Sequence, residues 1–79
     1  MPTVLRTSGF RFFFCSLEGA EQPRIHVEHG DNVAKFLLEP PVSVVASSGF
    51  RPDQLKRLRA LVIKHRPTFL EAWNAHFGS

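Results

Sequence analysis

The spacing of the apolar residues changes once along the chain, at Pro52, and no other feature restricts the fold as strongly. Before that point apolar and polar residues alternate in short runs broken by Gly, Pro and Asn, the pattern of half-buried strands. After it, Leu55, Leu58, Leu61, Val62, His65, Phe69, Ala72 and Trp73 fall within an arc of about 120° at helical spacing. A chain of 79 residues builds one core. The reading is therefore a single α+β domain over residues 1–79, with an antiparallel sheet of four to five strands covered on one face by a C-terminal helix.

Residues 3–8 (TVLRTS) and 10–17 (FRFFFCSL), separated by Gly9, read as a hairpin. The loop EGAEQP (18–23) leads to a third strand, RIHVEH (24–29), with Ile25 and Val27 on one side. GDN (30–32) is a turn of the type that joins antiparallel strands, so VAKFLLE (33–39) is strand four, stopped by Pro40-Pro41. VSVVAS (42–47) either extends that strand past a kink or forms a fifth. Pro52 suits the first turn of the helix and Gly78 its stop. Pro67 lacks the N–H that would bond the Ile63 carbonyl, so a kink at Pro67, or two helices breaking near residue 66, is expected.

Alternation places Phe10, Phe12 and Phe14 on one face of strand two, and Phe13, Cys15 and Leu17 on the other. One helix covers one face only. The second face is expected to be closed by another chain, in a homodimer or a complex, or to stack bases as some RNA-binding sheets do.

Composition and charge narrow the function classes. With 43% hydrophobic and 22% charged residues the chain is neither disordered nor collagen-like. Its single Cys15, inside the apolar run FFFCSL, excludes an internal disulfide and is expected as a buried thiol in a cytoplasmic chain. No signal-peptide pattern and no run of about 18 apolar residues occurs, so no membrane role is expected. Residues 1–50 hold four Lys/Arg and five Asp/Glu, whereas residues 51–79 hold six and two, giving the net charge of +3. The basic excess is C-terminal and favours a polyanion or an acidic protein surface.

Several chemistries can be set aside. His26 and His29 are three apart on a strand and point to opposite faces, while His65 and His76 are about 16 Å apart along a helix, so no metal site is expected. Burial between Phe14 and Leu17 argues against Cys15 as a nucleophile. No phosphate loop, GxSxG or dinucleotide signature is present, and no cofactor is expected. What remains is Arg24, His26 and Glu28, at alternate positions of strand three on the face opposite Ile25 and Val27. Such a set suits metal-independent phosphodiester chemistry, with His26 as general acid or base, Glu28 orienting it and Arg24 holding a phosphate. The alternative is a solvent face with Arg24 and Glu28 in a cross-strand charge network. On the helix, Lys56, Arg57, Arg59, Lys64 and Arg66 lie away from the apolar stripe. Of these, Lys56, Arg59 and Lys64 are the proposed phosphate contacts, giving affinity without sequence specificity.

The motifs MPTVLR, GFRFFF, PRIHVE followed by GD, AKF ahead of the prolines, GF before the helix and LEAWNAHFG at its end resemble the small bacterial proteins of domain-of-unknown-function family 4160. The resemblance spans essentially the whole chain. Members are often encoded beside a second small protein, in an arrangement that looks like a toxin–antitoxin pair. The resemblance thus implies a toxin-like component acting on RNA or the translation machinery, with the neighbouring gene's product as its cognate partner. Three positions depart from the family pattern. Arg24 stands where Pro-His-Ile-His would place its first histidine, Arg51 where a Ser or Thr helix cap is common, and Pro67 where proline is usually lacking. His26 is the sole carried-over catalytic candidate. The alternative function is a non-enzymatic module that binds protein or nucleic acid through an apolar sheet face and the basic helix.

Overall fold

The computed structural model describes residues 3–15 and 22–78. Five strands, β1 (Thr3–Thr7), β2 (Phe10–Phe13), β3 (Arg24–His29), β4 (Asn32–Leu37) and β5 (Ser43–Ser48), form one meander in chain order, every neighbouring pair antiparallel. A single helix, α1 (Pro52–Phe77), follows. The fold is α+β, as the change of period implies. VSVVAS forms a separate fifth strand, so the sheet has five strands among the described residues.

Local chemistry sets the hairpins. Ser8 and Gly9, with φ of 52° and 82°, give the two positive-φ positions that a two-residue β1–β2 turn needs to match strand twist. Gly30, at φ 61°, opens the β3–β4 turn in the same region. The two-residue turn at Gly30 and Asp31 pairs His29 with Asn32, and every pairing back along the strands follows, down to Arg24 opposite Leu37. The ladder continues one step further, where the Leu38 N–H donates to the Pro23 carbonyl at 3.0 Å.

Alternation then sorts the side chains into two faces. Phe12, Ile25, Val27, Ala34 and Phe36 point to one side and are at most 4% exposed. The helix lays Leu58, Val62, Phe69 and Trp73 onto that side. Phe12 meets Phe69 at 5.2 Å between ring centroids, and Phe14 meets the edge of Trp73 at 5.3 Å. Each such fully buried side chain contributes about 1.5–3 kcal/mol of apolar transfer.

β2 is shorter than expected, ending at Phe13, and Cys15 beyond it is half-buried because the chain has left the ladder there. Leu17 and most of the 18–23 loop lie outside the described residues.

The helix runs without interruption from Pro52 to Phe77, so the expected break near residue 66 does not occur. The Ile63 carbonyl, which Pro67 cannot serve, lies on a water-facing side where Ile63 is 45% exposed and Pro67 is also exposed. Exposure on this side leaves that carbonyl open to solvent, so the missing bond does not have to be replaced within the protein. At the N-terminus Arg51 offers no cap oxygen. Gln54 compensates by accepting from the Arg51 N–H at 2.9 Å, one half of a capping box. The Arg51 guanidinium bonds Asp53 at 3.2 Å and holds its carboxyl below the ordinary value of 3.8. Gly78, at φ 71°, closes the other end with its N–H on the Asn74 carbonyl.

Candidate functional site

The helix covers one face of the sheet, and Arg24, His26 and Glu28 stand on the other, together, as alternation requires. Register supplies their neighbours. Across β2, Phe13 lies opposite His26 and Arg11 opposite Glu28. Across β4, Leu37 lies opposite Arg24, Lys35 opposite His26 and Val33 opposite Glu28. One strand further, Ala46 pairs with Lys35 and Ser48 with Val33.

Phe13 is the centre of this face. Its ring is 8% exposed although no helix covers it. Polar side chains provide the cover: the Arg11 guanidinium sits 4.4 Å from the ring centroid, and the His26 imidazole stacks against it at 5.4 Å and 25°. Phe13 is thus closed within the chain, and the second face is less apolar than the run FFFCSL suggests. Arg11 is held in place by three contacts. Its Nε donates to Thr3 Oγ1 at 2.8 Å and its Nη1 to Glu28 Oε1 at 2.8 Å, beside the ring contact.

Glu28 therefore directs its carboxylate to Arg11 across the strands. Arg24, at the start of β3, places its Nε 3.2 Å from the Gln22 carbonyl. The polar group that register brings against His26 is Lys35, which the alternation of β3 alone does not reveal. The signal is nevertheless in the sequence, because a two-residue turn at 30–31 pairs position 26 with position 35. Beside this pair lies an open depression of about 270 Å³, lined by His26, Lys35, Ala46, Ser47 and Ser48 with Val33 and Ala34. The imidazole of His26 and the ammonium of Lys35 are the titratable groups that border it.

His29 falls on the opposite face, as expected. Its ring packs 5.3 Å from Phe10, and a side-chain atom of His29 lies 3.5 Å from where a Cβ on Gly9 would stand. The two neighbouring histidines cannot converge on one ion. No group of three His, Cys, Asp or Glu suited to a metal occurs among the described residues.

The basic helix divides into two kinds of residue. Lys56, Arg57 and Lys64 are exposed. Arg59 donates its Nε to the Val42 carbonyl at 2.8 Å, and Arg66 bonds the Leu38 carbonyl, so these two tie the helix to the segment between β4 and β5. Arg59 has a structural duty that periodicity does not reveal. Lys56, Arg59 and Lys64 belong to the helix layer, on the side of the sheet away from His26. The two sets of proposed site residues are not brought together.

Five-stranded antiparallel meander, one packed helix and a cationic helix-free face define a small α+β domain. The chain belongs to the family described as domain of unknown function (DUF4160), whose model matches residues 9–74. Neither the curated proteins nor the solved structures give a match. No helix among the described residues is long and apolar enough to cross a membrane.

Proposed function

We propose that this protein is the toxin-like component of a bacterial toxin–antitoxin-type module, acting in the cytoplasm on RNA through the helix-free face of its sheet. The observation that carries the RNA part is the His26 imidazole stacked on Phe13, with Lys35 directly opposite and the depression beside them. The toxin role, and a cognate small protein as partner, rest on the family resemblance.

The chemistry such a site would support is metal-independent cleavage. The ribose 2′-oxygen attacks phosphorus, its proton passes to a base, and the bond from phosphorus to the 5′-oxygen breaks as that oxygen takes up a proton. Products are a 2′,3′-cyclic phosphate and a 5′-hydroxyl. His26 is the proton-transfer group, because imidazole is the side chain that titrates near neutral pH. Lys35 and Arg24 stabilise charge gathering on the phosphate oxygens. Phe13 holds the imidazole plane.

The test uses three variants. His26→Ala should abolish growth inhibition and RNA cleavage. His26→Phe should do the same while keeping the ring stack and the thermal melt, which separates proton transfer from packing. His29→Ala should retain activity. Cleavage undiminished in His26→Phe would overturn the catalytic reading.

A second reading is favoured by a separate observation. Arg6, Arg11, Arg24 and Lys35 stand on the helix-free face, where the strands themselves carry one carboxylate, Glu28, and Lys56, Arg57 and Lys64 are exposed on the helix. That charge would hold RNA or an acidic protein surface without any reaction. RNA binding with no cleavage in the parent protein would select it.

A further inference from the structure

The two edges of the sheet are protected very differently. β1 carries the charged Arg6, and Val4, Leu5 and Thr7 are half-buried. β5 has no charged residue between Pro40 and Phe50, and all of Val44, Val45, Ala46, Ser47 and Ser48 are exposed. Val44 and Val45 are 41% and 47% exposed. Both edge strands contain one register irregularity, so bulging does not distinguish them. Edge strands of single-chain proteins are normally blunted by charge, proline or cover, and β5 lacks these within its own span.

We infer that β5 is a docking edge that accepts an extended acidic segment of a partner protein as a sixth strand. Backbone pairing would satisfy the outward N–H and C=O groups of β5, and exposed Val44 and Val45 would gain apolar contact. Charge selects an acidic segment. On the helix-free face Lys35 stands one strand inside the edge, in no ion pair with the described residues and separated from the edge only by the methyl of Ala46. On the helix side Arg59 reaches the carbonyl of Val42, the residue before the strand. An incoming strand therefore meets a cation on each face and no carboxylate from residues 40–50. A second copy of this chain carries +3 and would bring the same cations to the same edge, so it is the poorer occupant.

The docking edge borders the RNA site. Ala46, Ser47 and Ser48 line the depression that also holds His26 and Lys35. A carboxylate projecting over Ala46 would occupy the phosphate position and pair with Lys35. Resting on the proposed RNA site, the same strand would then act as its inhibitor.

The experiment titrates the isotope-labelled full chain with a short peptide alternating valine and glutamate, and with valine–lysine and valine–serine controls, in the absence of RNA. Amide shifts and slowed hydrogen exchange confined to residues 43–48 are expected. The lysine control should bind roughly tenfold or more weakly, as like charges meet Lys35 and Arg59. Ala46→Pro, which removes a strand donor, should abolish binding, while Lys35→Gln should keep the fold and weaken the glutamate peptide selectively. No change at β5, or equal binding of all three peptides, would overturn the proposal. Concentration-dependent protection of β5 without peptide would replace the partner with a second copy and overturn it as well. Because RNA is absent from these arms, their outcome is independent of the RNA reading. Competition between peptide and RNA then tests the inhibitory step alone.

Discussion

Replacing Gly49 by alanine should be one of the most damaging single-methyl changes in the molecule, and its cost can be divided in advance. Gly49 joins β5 to the helix with φ of +94°, a region that a side-chain-bearing residue enters at a cost of about 1–2 kcal/mol. A Cβ at this position would also stand 2.1 Å from Asn32 Oδ1, 2.8 Å from its Cγ and 3.3 Å from its Cα. Swinging the Asn32 side chain away and relaxing the backbone adds about 1–2 kcal/mol. The total, about 2–4 kcal/mol, is a large part of the stability of so small a domain. Urea unfolding followed by the fluorescence of buried Trp73 measures it in Gly49→Ala, Asn32→Ala and the double variant. Asn32→Ala removes the two closest atoms and leaves the crowding against the residue-32 backbone and the dihedral cost. The double variant should therefore be more stable than the sum of the singles implies, by about 1 kcal/mol. A coupling of zero would refute the steric half of this reasoning, and a Gly49→Ala cost below about 0.5 kcal/mol would refute both halves.

Arg11→Met should destabilise the protein by about 1–2 kcal/mol in the same assay, since one guanidinium serves Thr3, Glu28 and the Phe13 ring on a partly exposed face. Arg11→Lys should recover less than half of that, because a single ammonium cannot make all three contacts. On the helix, Lys56→Gln and Lys64→Gln should leave stability within about 0.5 kcal/mol. Arg59→Gln should cost about 1 kcal/mol through the lost bond to Val42. If RNA binds the helix, each lysine change should also flatten the slope of log affinity against log salt by about 0.7–0.9. For Asp53, whose carboxyl is lowered chiefly by its hydrogen bond from Arg51, the folded state binds that proton less readily than the unfolded chain. Its contribution is present above the ordinary value of 3.8 and is lost as pH falls through that value toward the lowered one. The stability gap between parent and Asp53→Asn should therefore close in acid, as read from melts at successive pH values.

The fold is largely legible in the sequence because its signals are local and agree with one another. The boundaries of β3 match the alternating run RIHVEH, and the four residues the helix buries all belong to the apolar arc drawn from spacing alone. The break expected near residue 66 is the exception. The apolar arc leaves Ile63 and Pro67 on the exposed side, where solvent reaches a carbonyl that lacks its helical donor, so a missing bond there does not force the helix to end. The site is legible only in part. Alternation places Arg24, His26 and Glu28 on one face, but partners across strands depend on register. The choice of Arg11 for Glu28, and the closing of Phe13 by two polar side chains, depend on rotamers that no sequence pattern encodes. Arg59 shows the same limit on the helix, where an exposed-looking cation holds a carbonyl 17 residues away in sequence.

Two demands meet at His26, and they explain what the helix-free face can and cannot do. Phe13 needs cover that the helix does not give, and an imidazole stacked on it supplies some of that cover whatever else it does. Position 24 lies on the same face two residues away, roughly 6.6 Å along the strand. A chain with histidine at both positions would carry two proton-transfer groups on one face, one for the attacking hydroxyl and one for the leaving oxygen. Here position 24 is arginine, which stays charged and holds a phosphate but transfers no proton at neutral pH. Lys35 adds a second fixed cation opposite His26. On the proposed reading the fixed cations would hold the phosphate, and a single imidazole would serve both proton transfers, taking the proton of the attacking hydroxyl and returning it to the leaving oxygen. If both proposals hold, an acidic strand on β5 would block the site by pairing with Lys35, whether or not His26 moves any proton.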